Sequence, residues 1–231
     1  MLSSLLRRKE SNPGRFWEID CLRGLAILAM ISYHLWLDLS WLKGFPRPPI
    51  ELAYPIAGCF IFLVGLSLSL SYSRLQGKVR FSKYLKRGLR IFGWGLGITL
   101  VTWIFTPFPV WFGILHFIGL SIILAYPILK LKTRAWIFSV LLLPLCFLPA
   151  SSAVFWLLPF SFPTLDYFPL LPWFLLIPIG ISVGFWLYPG YTRRFSLPGP
   201  GPFGWLSALG RRSLFVYLIH QPVLLSLVWF L

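Results

Sequence analysis

Seven apolar windows follow one another along this chain, each close to the length needed to cross a bilayer. A membrane helix takes about 20 predominantly apolar residues. The windows cover residues 20–41, 53–73, 84–106, 110–129, 134–150, 170–188 and 212–231. The fifth is the weakest, because it is short and is interrupted by Pro144 and Pro149. The sequence therefore predicts an all-α fold, a polytopic membrane helical bundle of about seven transmembrane helices.

The basic residues predict the orientation of this bundle. Nineteen of the 21 lysines and arginines lie before or at the start of the first window, or in alternate connections after it, and only Lys43 and Arg47 lie on the other side. By the positive-inside rule the N-terminus, with a tail of residues 1–14, is cytoplasmic and the C-terminus is outside. Topology and anionic lipid headgroups account for the net charge of +15, so no nucleic-acid partner is indicated. Without a repeat period, residues 1–231 are predicted to form one domain.

Small residues recur in several windows at the spacing that brings membrane helices together. Gly180 precedes Gly184 by one turn, and Gly93 precedes Gly97 in the same way within GWGLG. A third set comprises Gly58, Gly65 and Ser69. GWGLG lies inside a membrane helix rather than after a strand, so it does not indicate a nucleotide site. We expect all three sets to mark close helix packing.

The first window carries four ionisable residues, which are costly in a bilayer and rarely accidental. Asp20, Arg23, His34 and Asp38 share an arc of about 120° at 100° per residue. Arg23 and His34 are separated by about 16 Å along the helix axis. The simplest interpretation of Asp20 with Arg23 is a structural ion pair, with a cofactor anchor as the alternative. The chemistry is predicted at the other end, at His34 and Asp38.

Three histidines are candidates for acid–base chemistry. His34 is the natural general base, since a neutral imidazole accepts a proton near pH 7, and Asp38 one turn later could orient its ring. His116 is a partner for His34 or an alternative base, and His220, followed by Gln221 and Pro222, is a supporting residue. For each histidine the structural alternative is a hydrogen bond to a neighbouring helix. With three cysteines and no CxxC spacing, neither a metal site nor a disulfide framework is indicated.

Several of these residues form an ordered set of motifs. The chain opens with D-x-x-R-G at Asp20, Arg23 and Gly24 and closes with S-L-x-x-Y-x-x-H from Ser213 through Tyr217 to His220; between them lie FGILHFIGLS and LLPWF. This order, over most of residues 15–231, resembles the heparan-alpha-glucosaminide N-acetyltransferase catalytic-domain family and, more distantly, the type 3 membrane acyltransferases. The chain is shorter than the eukaryotic acetyltransferases and lacks the long outer loop after the first span that carries their proposed catalytic histidine.

The resemblance implies an integral membrane acyltransferase. Such an enzyme takes an acyl group, usually acetyl, from acetyl-coenzyme A at the cytoplasmic face and passes it to an acceptor such as a sugar amine or hydroxyl at the outer face. Arg87 and Arg90 match the R-x-x-R of the type 3 family and suit the coenzyme's phosphates, with positive-inside anchoring as the alternative. Trp173 is a candidate substrate platform or an interfacial belt residue. The expected location is the cell membrane, with a homodimer left open.

Two other classes of function fit parts of the pattern. Polar groups at several depths also describe a proton-coupled solute transporter, although the chain shows no inverted repeat. A bis-histidine haem protein would use two of His34, His116 and His220 within the bundle.

Overall fold

The computed structural model describes residues 14–75, 80–149, 157–159 and 161–231. The described residues form nine α-helices in chain order: α1 Trp17–Lys43, α2 Ala53–Arg74, α3 Phe81–Phe105, α4 Ile114–Ile128, α5 Trp136–Leu142, α6 Leu170–Trp173, α7 Leu176–Leu187, α8 Gly204–Arg211 and α9 Ser213–Phe230. Short 3₁₀ segments extend α4 through Leu129–Arg134 and α5 through Leu143–Phe147. The all-α class is confirmed.

Six of the predicted spans have helices of membrane-crossing length and apolarity, in the order Trp17–Lys43, Ile50–Arg74, Phe81–Phe105, Ile114–Arg134, Leu170–Leu187 and Ser213–Phe230. The fifth window yields only the shorter apolar helix Trp136–Phe147. With seven α-helical residues and five in 3₁₀ geometry, it is about 20 Å long, against a hydrocarbon core of about 30 Å. The last residue of this window, 150, and residues 151–156 after it lie outside the described residues.

The chain divides into two compact units. The first consists of the described residues up to Ala57 together with Tyr191–Leu231. In it α1 packs against α8 and α9. Helix α1 is capped at its C-terminus by Gly44, whose φ of +74° is left-handed and whose N–H bonds to the carbonyl of Leu39. Glycine adopts this conformation without steric cost.

Two glycines allow the backbones of α1 and α8 to approach each other closely. A Cβ on Gly24 would overlap the carbonyl oxygen of Leu206, and a Cβ on Gly210 would overlap the carbonyl oxygen of Asp20. Each helix thus presents a glycine to the backbone of the other. This contact gives a packing reason for Gly24 of the D-x-x-R-G motif and for Gly210, which lies three residues before the S-L-x-x-Y-x-x-H motif.

The second unit, Gly58–Gly190, holds a buried core drawn from α2, α3, α4 and α7. Gly180 meets the backbone of Phe62 and Gly65 that of Ile177, while Gly184 meets Ser69, so these parts of the small-residue prediction are confirmed. The prediction for Gly93 and Gly97 is wrong. Both are exposed and nothing among the described residues lies within 4 Å of a Cβ placed there.

The close contact on α3 lies elsewhere along the helix. Gly88 packs against Gly119 of α4, and Gly95 lies against the ring of His116. The reason is rotational: Gly88 and Gly95 are seven residues apart and lie on the face of α3 toward α4, whereas Gly93 and Gly97 lie on its exposed side.

Candidate functional site

Two histidines from opposite ends of the chain meet in the first unit. The rings of His34 on α1 and His220 on α9 lie with centroids 5.0 Å apart and planes at 64°. His220 is 9% exposed and His34 is half-buried. The direct edge contact leaves no space for a porphyrin between the two rings, which disfavours this pair as axial haem ligands.

The backbone fixes which nitrogen of His220 carries its proton. Nδ1 lies 2.6 Å from the carbonyl oxygen of Tyr217, one turn earlier on α9. A carbonyl only accepts, so Nδ1 is the donor and the neutral ring keeps a lone pair on Nε2. This Nε2 is buried and has no hydrogen-bond partner among the described residues. A buried basic lone pair therefore lies beside His34.

Asp38, 0% exposed, is bound by Gln221 of α9, whose Nε2 donates to Oδ1 over 2.8 Å. The expected orientation of His34 by Asp38 is not seen, because the carboxylate turns to Gln221. Asp38 Oδ2 and Gln221 Oε1 are both buried and without partners among the described residues. Leaving such groups unpaired costs about 1–3 kcal/mol each. Acceptor atoms on Asp38, His220 and Gln221 thus lack a donor among the described residues.

Asp20 forms the ion pair predicted for it at the start of α1. Its carboxylate, on a residue 2% exposed, accepts from Arg23 Nη1 at 3.0 Å and from Arg15 Nε at 3.2 Å. The Asp20 backbone is also the point that Gly210 contacts. These contacts favour the structural interpretation of Asp20 and Arg23, as an ion pair that stabilises α1 where it packs against α8.

His116, 2% exposed, holds the beginning of α4 in the second unit. The Gly113 N–H donates to Nδ1 over 3.3 Å, which leaves the proton of the neutral ring on Nε2, 3.4 Å from the hydroxyl of Thr99. That hydroxyl in turn donates to the carbonyl of Val110. With both ring nitrogens engaged, this geometry favours the structural alternative for His116 over a general base.

We compared the sequence with models of known protein families. The model for heparan-alpha-glucosaminide N-acetyltransferase, catalytic, matches residues 15–222. The chain belongs to this family. A comparison with curated proteins and one with solved structures gave no match. The protein is thus a multi-pass membrane protein of an acetyltransferase family, and membership implies acetyl-coenzyme A as donor.

The remaining site residues predicted from the sequence lie in both units of this acetyltransferase-family protein. Arg87 and Arg90 are exposed near the start of α3 and form no ion pair with a described carboxylate. Trp173 at the end of α6 is half-buried, with its ring 5.1 Å from that of Phe168. Tyr217 is half-buried, with its ring 5.4 Å from that of His220.

The sequence analysis did not select two polar residues that form notable contacts in the structure, Gln221 and Asp166. Gln221 binds Asp38, and an amide within an apolar span was a signal that could have found it. Asp166 lies outside the spans and accepts from the N–H of Ile114, the first residue of α4, over 3.0 Å. Burial raises the pKa of the Asp166 carboxyl to about 6, against the opposing effect of the backbone hydrogen bonds. Its signal was a lone carboxylate in FPTLDYFP.

Proposed function

We propose that this protein is a transmembrane acetyltransferase that moves an acetyl group from cytoplasmic acetyl-coenzyme A to an amine or hydroxyl of a sugar-like acceptor at the outer face. The observation that carries the proposal is a set of unpaired acceptor atoms in the first unit: on Asp38 and Gln221, which bond to each other, and on His220, whose ring lies beside that of His34. In an acetyltransferase family, such a group suits an acceptor substrate that brings its own N–H or O–H donors.

In the proposed reaction the acceptor's nitrogen or oxygen attacks the thioester carbonyl carbon. The new C–N or C–O bond forms, the C–S bond breaks, and coenzyme A leaves with the electron pair on sulfur. The acceptor's proton passes to His34, whose half-buried ring lies beside that of His220. General bases of this kind contribute about 10²- to 10⁴-fold to the rate.

Asp38 suits the binding of the acceptor. Among the described residues, no cationic side chain pairs with its carboxylate, and its hydrogen bond comes from the neutral amide of Gln221. A buried carboxylate without a counter-charge is costly. An acceptor that donates hydrogen bonds to Oδ2 would lower this cost and would be held beside the histidine pair.

Recognition of the coenzyme is assigned to the second unit. Arg87 and Arg90 are one turn apart, exposed and without a carboxylate partner among the described residues. A guanidinium offers paired donors that fit phosphate oxygens. These two side chains are therefore available for the phosphates of acetyl-coenzyme A.

The proposal is tested with the full chain reconstituted in lipid vesicles. Labelled acetyl-coenzyme A is supplied with glucosamine or with glucose as matched amine and hydroxyl acceptors, and labelled product is measured. We expect transfer by the wild type, a loss of about 10² to 10⁴ in His34→Ala, and much smaller loss in folded His116→Ala. Absence of product with both acceptors, or full turnover by folded His34→Ala, would contradict the assignment.

A further inference from the structure

Among the described residues, no carboxylate is hydrogen-bonded to His34 in the way that a catalytic imidazole commonly uses one. A general base becomes cationic when it takes the acceptor's proton, and a hydrogen-bond acceptor on its other nitrogen stabilises that cation. Asp38, the residue expected in this role, is held by Gln221. The ring beside His34 is that of His220, with centroids 5.0 Å apart.

His220 has the atom that the role requires. Its Nδ1–H is engaged by the carbonyl of Tyr217 at 2.6 Å, so the neutral ring exposes no second N–H toward its neighbour. Its Nε2 is a pure acceptor, buried and unpaired among the described residues. Hydrogen bonds of this kind are often long before substrate binds and tighten in the complex.

We propose that His220 is a positioning residue for the reaction, which accepts a hydrogen bond from His34 at Nε2 and so takes the part of the usual carboxylate. This inference rests on the proposed function. The acceptor's proton moves to one nitrogen of His34, while the N–H on the other nitrogen donates to His220 Nε2. The carbonyl of Tyr217 sets the tautomer, because it reserves the proton of His220 for Nδ1.

Two substitutions at one position separate this role from a packing role. In His220→Asn the short amide retains a donor near the position of Nδ1 but has no acceptor at the position of Nε2. In His220→Gln the longer amide places an acceptor near the position of Nε2. We expect His220→Asn to lower kcat about 100-fold, at the lower end of acid–base effects, with both KM values within about twofold. His220→Gln should recover at least tenfold of that loss.

The matched control is Ser226→Ala on the same helix, whose exposed hydroxyl donates only to the carbonyl of Pro222 in the same helix. It should keep wild-type turnover. Folded His220→Asn with wild-type kcat, or Asn and Gln variants that are folded and equally impaired, would overturn the role of Nε2. A wild type that transfers no acetyl group would instead refute the proposed function itself.

A second measurement decides the matter even where a variant fails to fold. The chain has three histidines, so nitrogen NMR of the ¹⁵N-histidine wild type in bilayers resolves few rings. We expect Nδ1 to be protonated in His220 and Nε2 in His116, with the His116 signals assigned by their loss in His116→Ala and the His34 signals by their loss in His34→Ala. A proton on Nε2 of His220 would overturn the proposal directly.

Discussion

Arg87 and Arg90 carry a specific prediction about the donor substrate. Arg87→Ala or Arg90→Ala should weaken acetyl-coenzyme A binding by about 1.5–3 kcal/mol, because each removes charge-assisted hydrogen bonds to phosphate. The measurement is a binding titration of coenzyme A against the reconstituted protein. Arg80→Ala is the matched control, since Arg80 is also an exposed arginine and lies just before the same helix.

A short acetyl thioester without the nucleotide gives the second arm of that experiment. Acetyl transfer from this thioester should be little affected by either substitution, because it carries no phosphates for the arginines to bind. Equal losses for both donors would mean that the two arginines support the fold, and that the coenzyme's phosphates bind elsewhere.

Asp166 predicts a pH dependence of stability. Its pKa in the folded chain is about 6, above the ordinary value of 3.8, so between these values the folded chain binds more protons than the unfolded chain. The stability that proton binding by Asp166 contributes to the folded chain is therefore lost as the pH rises from about 4 to about 6. Thermal unfolding in detergent across this range should show a falling Tm for the wild type relative to Asp166→Asn.

Asp166→Asn is the informative variant because it removes the titration and keeps an oxygen that can accept from the N–H of Ile114. A Tm difference between the two proteins that does not vary between pH 4 and 6 would exclude the predicted protonation. Asp166→Ala, which removes the cap as well, should be less stable than Asp166→Asn over the whole range.

At the scale of helices, glycine contacts join α1 to α8. Gly24→Ala and Gly210→Ala should each destabilise the protein by about 1–3 kcal/mol, the usual cost of overpacking, because the added Cβ meets backbone that cannot move aside as a side chain would. The measurement is Tm in detergent. Gly204→Ala, at the start of α8 with nothing described within 4 Å, should unfold close to the wild type.

The outcome has a bearing on the site, since α1 also carries His34 and Asp38. We expect Gly24→Ala to reduce acetyl transfer through the displacement of α1, with residual activity falling as Tm falls. A Tm for Gly24→Ala equal to that of Gly204→Ala would contradict the close contact between α1 and α8.

The whole molecule poses a question of topology, because the helix at Trp136–Phe147 is short for a bilayer. If it crosses, Thr133 and Ser196 lie on the same, cytoplasmic side, as the basic residues predict. In a cysteine-free background, Thr133→Cys and Ser196→Cys should be labelled from the cytoplasmic side and Pro46→Cys from the outer side. All three positions are exposed.

The contrary result is equally specific. A short helix that returns to its own side would place Thr133 and Ser196 on opposite sides of the membrane. The C-terminus would then be cytoplasmic, and the seven-span topology would be wrong.

The sequence alone determined that this is a helical membrane protein, because the bilayer sets the length of each apolar span. The positive-inside rule likewise predicts, from the lysines and arginines of each connection, on which side of the membrane that connection lies. Six of seven windows gave helices of full length, and the weakness foreseen at Pro144 and Pro149 coincides with the short helix. The Asp20–Arg23 pair was also predictable, since residues three apart lie on the same face of one helix.

Tertiary structure decided which polar groups meet. The spacing of His34 and Asp38 suggested a local pair, yet Asp38 bonds to Gln221 and His34 contacts His220, both far along the chain on α9. Periodicity gives the face on which a residue lies within its own helix. The rotation and register of one helix against another arise from packing, such as the glycine contacts of α1 with α8, and a single helix's periodicity does not contain them.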